Sequence, residues 1–223
     1  GSARLHEPAV AKQALQAAEA KAAQAPTDRA LQRQVAIAKR QVELAKYYDV
    51  AREFGRLVSS TCQIDGRCDY VVVTGGGPGI MEAANRGAYE AGGKTIGLNI
   101  SLPFEQGPNP YITDGLHFEF HYFFMRKFWF AYMAKALVIF PGGFGTLDEM
   151  GEILTLRQTG KMDDELPVVL YDSTYWKGLI NFPKFVEAGM VNARDLDLFG
   201  FADTPREAWE QLIRRGLKRP GME

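Results

Sequence analysis

The spacing of apolar residues changes character along this chain. From Ala9 to Ala25 the residues are Ala, Gln, Lys and Glu, with Leu15 and Val10 the large apolar exceptions, a composition that strongly favours helix. Pro26 ends that run, and Thr27 or Asp28 can cap a second helix from about Arg29 to Ser60. The first half of this second helix is polar, with sparse apolar positions at Leu31, Val35, Ile37, Val42 and Leu44. Its second half gains Tyr47, Val50, Phe54, Leu57 and Val58, the stripe of a helix packed on a core. Residues 9–45 therefore read as a helical hairpin that projects from the body. The expected division is an N-terminal helical extension over 1–46 and a main domain over 47–223.

Beyond residue 60 the period shortens. Tyr70-Val71-Val72-Val73-Thr74 is a continuous apolar run, the mark of a strand buried on both faces. It ends in Gly75-Gly76-Gly77-Pro78-Gly79, and a helix follows over Ile80–Ala91. Lys94–Ile100 reads as the next strand, the Pro- and Gly-rich segment 102–115 has no period, and His117-Phe118-Glu119-Phe120 alternates as a short strand would. Ala136–Phe140 and Leu166–Tyr171 are further strands, with helices after each and others near 174–189 and 204–216. Strands that alternate with helices predict an α/β fold, a doubly wound parallel sheet with helices on both faces. Ligands in such sheets bind at the carboxyl ends of strands.

The segment from Tyr122 to Met133 carries aromatic residues on nearly every side: Tyr122, Phe123, Phe124, Phe128, Trp129, Phe130 and Tyr132. A helix that is apolar all round must be covered all round, and the expected cover is a second subunit.

Composition narrows the function. The 223 residues are enough to bury roughly 70–75% of the unfolded chain's surface. Twenty-six Lys and Arg against 27 Asp and Glu leave a net charge of −1, so no global basic field for nucleic acid exists. Cys62 and Cys68 are too few for a disulfide framework, lack zinc-ligand spacing, and read as inert. No metal cluster and no cofactor are expected. No apolar run approaches 18 residues and no signal peptide is visible, so no membrane association and a reducing cytoplasm are the expectation.

The candidate chemistry lies in two glycine turns. Pro141-Gly142-Gly143-Phe144-Gly145-Thr146-Leu147-Asp148-Glu149 follows one apolar run and leads into helical spacing. That order sets unpaired backbone N–H groups and the positive end of a helix dipole at the top of a sheet, a place for an anion. Glu149 falls one turn into the helix, where a carboxylate is also favoured by roughly 0.3–1 kcal/mol for structural reasons alone. Neither turn is a standard fingerprint. After Gly75 and Gly77 a dinucleotide motif needs glycine at 80, where Ile80 stands. Gly93-Lys94-Thr95 imitates the end of a P-loop, but Ala88 occupies the place of its first glycine and the order of elements is wrong. Met125-Arg126-Lys127 sets two cations on the aromatic helix. They read either as an exposed rim or as a crevice wall where Arg126 meets an acid or a phosphate. His117 and His121 flank that wall as candidates for a catalytic role or as satisfied polar residues, and Phe144 and Leu147 read as packing residues of the turn.

Taken in order, Gly75-Gly76-Gly77-Pro78-Gly79-Ile80-Met81-Glu82-Ala83, Met125-Arg126-Lys127 and Pro141–Glu149 resemble the signatures of the LOG (Lonely Guy) family over residues from about 47 to 215. The longer glycine and F-G-T-L-D-E forms resemble its second type, which is often hexameric. Members are cytokinin riboside 5′-monophosphate phosphoribohydrolases, many of them labelled AMP nucleosidases or, mistakenly, lysine decarboxylases. The resemblance implies a Rossmann-like catalytic domain, homodimers with shared active sites, and cleavage of the N-glycosidic bond of nucleoside 5′-monophosphates. It implies Arg126 and Glu149 as the catalytic pair. Substrate binding is expected from Gly76, Gly77, Glu82, Met125, Lys127, Gly142, Gly143, Gly145 and Thr146. Such cleavage passes through an oxocarbenium-like state, needing a carboxylate at the ribose and a handle on the phosphate. The alternative expectation is a non-catalytic nucleotide-binding or carrier protein on the same fold. Two features depart from the family pattern. Gly1-Ser2-Ala3-Arg4 fits the turn that follows the family's first strand, yet Gly1-Ser2 also reads as a cloning scar. The 9–45 hairpin is longer than the usual segment there.

Overall fold

A computed structural model describes residues 1–61, 63–64, 67–102, 107–162 and 166–220. Cys62, the side chain of Cys68 and part of the 102–115 segment lie outside the described residues.

Helices α1 (Pro8–Gln24) and α2 (Arg29–Leu44) form the expected hairpin, with Lys39 and Glu19 3.6 Å apart across it. Pro8 starts α1, and the Asp28 carboxylate caps α2 by accepting from the N–H groups of Ala30 and Leu31 at 2.8 and 3.3 Å. The single helix expected over 29–60 is in fact two. α2 stops at Leu44, and α3 runs Lys46–Thr61. At the break the bonds tighten to i→i−3, Ala45 to Val42 and Tyr48 to Ala45. The cause lies in the next two residues, because Tyr47 and Tyr48 are both buried and hydrogen-bond to different elements.

The two-residue strands β1 (Gln63–Ile64) and β2 (Arg67–Cys68) pair antiparallel. The main body then alternates: β3 (Val72–Thr74), α4 (Ile80–Glu90), β4 (Thr95–Ile100), β5 (His117–Phe120), α5 (Phe123–Met133), β6 (Leu137–Ile139), α6 (Phe144–Gln158), β7 (Val168–Tyr171), α7 (Ser173–Leu179), α8 (Phe182–Glu187), the 3₁₀ turn η1 (Ala193–Leu198), β8 (Gly200–Ala202) and α9 (Pro205–Arg214). The helix expected over 174–189 is divided into α7 and α8 at Ile180-Asn181. β8 carries no strand signal in sequence because Gly200 and Ala202, which disfavour strand, break up its apolar run.

The strands form two parallel ladders, β3-β4-β5 and β6-β7-β8, with Val72 opposite Thr95, Gly97 opposite His117, Leu137 opposite Val168 and Val169 opposite Gly200. This is the expected α/β architecture. β7 is fully buried and alternates between two cores. Val169 and Tyr171 face one with Phe54 and Tyr48 of α3, Ile80 of α4 and Trp209 of α9. Val168 and Leu170 face the other with Ala131 of α5, Met150 and Ile153 of α6 and Trp176 of α7. Helices therefore cover both faces.

α3 and α4 touch backbone to backbone. A Cβ on Gly87 would overlap the carbonyl oxygen of Arg52, and one on Gly55 would overlap that of Ala84. Glycine at both positions lets the helices close to that separation. Arg52 then reaches across to Glu90 in a two-bonded pair at 2.7 Å. Among the described residues no helix is long and apolar enough to cross a membrane.

Candidate active site

Both glycine turns leave the carboxyl ends of parallel strands. The first, after β3, is held by a buried polar network. Thr74 Oγ1 donates to Asn85 Oδ1 (2.6 Å) and accepts from the Gly76 N–H (3.0 Å). From the 107–113 segment, Asn109 Nδ2 reaches the carbonyl oxygens of Gly76 and Gly77, both at 3.1 Å, and Asn85 Oδ1 at 3.0 Å. Asn85 and Asn109 are buried, so these bonds satisfy groups that would otherwise be costly to enclose. Glu82, on the first turn of α4, accepts from the Tyr48 hydroxyl at 2.7 Å.

The second turn follows β6. Gly143 stands at the N-cap of α6, and Gly143, Phe144 and Gly145 are exposed. The N–H groups of the first helical turn have no intrahelical acceptor and face outward with the dipole's positive end. Thr146 lies over Gly142 so closely that a Cβ on Gly142 would overlap the threonine side chain. From α7 the Tyr175 hydroxyl donates to the Gly142 carbonyl at 3.0 Å. Leu147 packs on the second core as expected, but Phe144 does not pack: it is 91% exposed, because as the first helical residue it points away from the sheet. Gly1-Ser2 lies against both turns, Ser2 N–H donating to Pro141 O (3.1 Å) and Ile80 N–H to Ser2 O (3.0 Å).

Arg126 joins the turns. Its Nη2 lies 3.1 Å from Glu149 Oε1, with the side chains 14% and 28% exposed. On its other side, a Cβ placed on Gly75 would come 3.5 Å from Nη1. The guanidinium is stacked between the rings of Phe123 and Phe130, 5.5 and 5.7 Å from their centroids. Its buried Nε has no hydrogen-bond partner among the described residues. The sequence left Arg126 open between an exposed rim and a wall where it meets an acid or a phosphate; its side chain is 14% exposed and meets the acid Glu149. Burial pushes the Glu149 carboxyl above the ordinary carboxylate range, and the charge of Arg126 opposes that rise.

Lys127 lies 2.8 Å from Asp148 and 3.3 Å from Glu152. The hydrogen bond to Asp148 holds its ammonium above the usual lysine range, against the effect of burial. Met125 is exposed. His117 Nε2 is buried without a hydrogen-bond partner among the described residues, and His121 Nδ1 sits 3.2 Å from Ser101 Oγ. Among the described residues no group of three His, Cys, Asp or Glu is placed to hold a metal ion. Sequence reasoning missed Asn109 and Tyr175. Asn109 lies in an aperiodic segment, and Tyr175 looks like any helical aromatic.

The sequence model of a family described as "Possible lysine decarboxylase" matches residues 81–212, more than half of the chain. The chain belongs to this family, the LOG family. Among curated relatives it is 27% identical over 169 residues to the probable cytokinin riboside 5′-monophosphate phosphoribohydrolase LOGL2 of Oryza sativa subsp. japonica, covering 74% of this chain and 65% of that protein. It is also 27% identical over 172 residues to the cytokinin riboside 5′-monophosphate phosphoribohydrolase LOG3 of Arabidopsis thaliana, with 75% of each covered. The chain thus spans just under two thirds of LOGL2. Two solved structures share the fold of this LOG-family chain. The structural-genomics target TM1055 aligns with a TM-score of 0.54 at 24% identity, over 76% of this chain and 89% of that one. The molybdenum cofactor carrier protein of Chlamydomonas reinhardtii aligns with a TM-score of 0.52 at 21% identity, over 78% and 90%.

Proposed function

We propose that the protein hydrolyses the N-glycosidic bond of nucleoside 5′-monophosphates, AMP or its N6-modified cytokinin riboside forms, releasing the free base and ribose 5-phosphate. The observation that carries this reading is the Arg126–Glu149 pair, half-buried at 3.1 Å, one helical turn from the anion turn and beside the first glycine turn. The relatives named as phosphoribohydrolases supply the reaction class.

In this reading the N–H groups at the start of α6 and the Thr146 hydroxyl take the 5′-phosphate, which fixes the ribose with its anomeric carbon near Glu149. The ionised Glu149 accepts a proton from water as its oxygen bonds to C1′. The C1′–N bond breaks with its electron pair going to the base, which picks up a proton. The negative Glu149 also steadies the positive charge that develops at C1′. Arg126 keeps the carboxylate ionised and aimed.

The exposed aromatic face of α5 supports a second copy of this chain as the remaining wall. Phe124 and Tyr132 on the helix that carries Arg126, and Tyr122 at its N-cap, are each at least 66% exposed, and so large an apolar patch marks an interface. The decarboxylase reading draws no support from the site. Lys127, the lysine beside Arg126, is ion-paired with Asp148 and Glu152.

Product chromatography over a panel of nucleoside 5′-monophosphates tests the proposal. Free base and ribose 5-phosphate in equal amounts are expected. AMP binding without base release would instead place the protein with non-catalytic carriers on this fold.

A further inference from the structure

We propose that Tyr175 is a positioning residue for the anion turn: by holding the Gly142 carbonyl, its hydroxyl aims the Gly143 N–H at the substrate's phosphate. This rests on the 5′-phosphate reading above and deepens it.

The Gly142 carbonyl and the Gly143 N–H belong to one planar trans peptide, in which they point in opposite directions. A restraint on the oxygen is therefore a restraint on the hydrogen. This peptide needs one, because it joins two glycines and no Cβ on either side limits its rotation. Turned over, it would present a carbonyl oxygen to an anion in place of a donor. The Tyr175 hydroxyl, 3.0 Å from that oxygen, holds it from the side of α7.

Tyr175 is itself fixed by a line of contacts that runs back to the end of β7. Its backbone N–H donates to Asp172 Oδ1 at 2.8 Å, and its ring meets the fully buried Trp176 edge-on at 5.2 Å. Asp172 N–H donates to the Ala202 carbonyl (2.8 Å), and its Oδ2 accepts from the Tyr47 hydroxyl at 2.5 Å. Asp172 has φ 70°, the one positive-φ residue other than glycine among the described residues. A side chain is kept in that conformation only where its surroundings over-determine it, and such residues gather at functional sites. The positive-φ residue after β7 and the tether to the turn after β6 thus meet in Tyr175, through its backbone N–H and its hydroxyl. Tyr175 touches the turn and not the reacting atoms, so it acts through Gly143.

The test compares Tyr175→Phe, which keeps the ring and removes the hydroxyl, with Tyr171→Phe. The Tyr171 hydroxyl donates to Asp203 O at 3.0 Å, away from both turns. AMP and adenosine kinetics are measured alongside calorimetric binding of ribose 5-phosphate. Loss of one restraining hydrogen bond should raise the Tyr175→Phe KM for AMP about two- to tenfold, with kcat nearly unchanged. Ribose 5-phosphate binding should weaken by the same factor. Adenosine kinetics should not move, and Tyr171→Phe should match the wild type throughout. Unchanged ribose 5-phosphate binding in Tyr175→Phe, or equal losses on AMP and adenosine, would overturn the inference. If the wild type releases no base yet binds ribose 5-phosphate, and Tyr175→Phe weakens that binding, the hydrolase reading fails while this one stands. A wild type that binds no ribose 5-phosphate overturns both.

Discussion

Arg126 Nη2 lies 3.1 Å from Glu149 Oε1, and one residue further along α5 Lys127 Nζ lies 2.8 Å from Oδ1 of Asp148, one residue earlier on α6. Two consecutive cations on α5 thus meet two consecutive acids on α6. Only the first pair is withdrawn from solvent beside both glycine turns. The second, with Asp148 56% exposed, serves to dock the helices, and exposed pairs of that kind contribute little.

Glu149→Gln should lower kcat for base release by about 10²–10⁴-fold, the usual worth of a positioned acid–base group, while nucleotide binding persists. Arg126→Ala should lose activity as well. Because burial raises the Glu149 carboxyl and the ionised form is required, wild-type activity should fall as pH drops through a value above the ordinary carboxylate range. A pH–rate profile whose acidic limb lies at or below about 4.3, the unperturbed glutamate value, would contradict this.

Gly142→Ala should displace Thr146 from its place over the turn. The expected outcome is a raised KM for AMP in a protein whose thermal midpoint stays near the wild type's. Gly142 is not fully buried, and the strain falls on one side chain.

Gly87→Ala should cost stability and nothing specific in catalysis. Overpacking costs about 1–3 kcal/mol, and here the added carbon meets backbone on α3, which cannot step aside, so the effect should lie near 3 kcal/mol. Urea unfolding should show a lowered midpoint with an unchanged m value.

Asp172→Asn separates charge from shape, since asparagine tolerates positive φ and can still cap α7. Burial alone would raise the Asp172 carboxyl. The hydrogen bond from Tyr47 and those from backbone N–H groups outweigh it and hold the carboxyl below the usual range. A depressed folded-state value contributes stability that is present above the unfolded value, about 3.9, and is lost as pH falls through the folded one. The wild type should therefore lose more stability than Asp172→Asn on acidification below about pH 4. Parallel losses in the two proteins, followed by denaturant titration at each pH, would contradict this.

Replacing Phe124 and Tyr132 together by serine should leave the subunit folded, since both rings are more than 60% exposed. It should shift sedimentation toward the monomer if a second copy covers α5.

The sequence made the order of elements legible because β3, β6 and β7 fall in short apolar runs and helical spacing follows each of them. It made Arg126 and Glu149 legible through their motifs. The break at Ala45 was not legible, because helix propensity is continuous there and the break comes from where Tyr47 and Tyr48 find partners. Phe144 reads as apolar packing in sequence, and only the direction of the α6 N-terminus shows it to be exposed. Asn109 and Tyr175 act through bonds to the carbonyls of residues more than thirty positions away, and no local pattern encodes such bonds.

β7 has no expendable side. Val168 and Leu170 belong to the core under α6 and the second glycine turn, and Val169 and Tyr171 belong to the core under α3 and α4, the latter entered from the first glycine turn. A four-residue strand is the shared keel of two half-structures, so neither wall of the crevice can drift in sequence without the other registering the change.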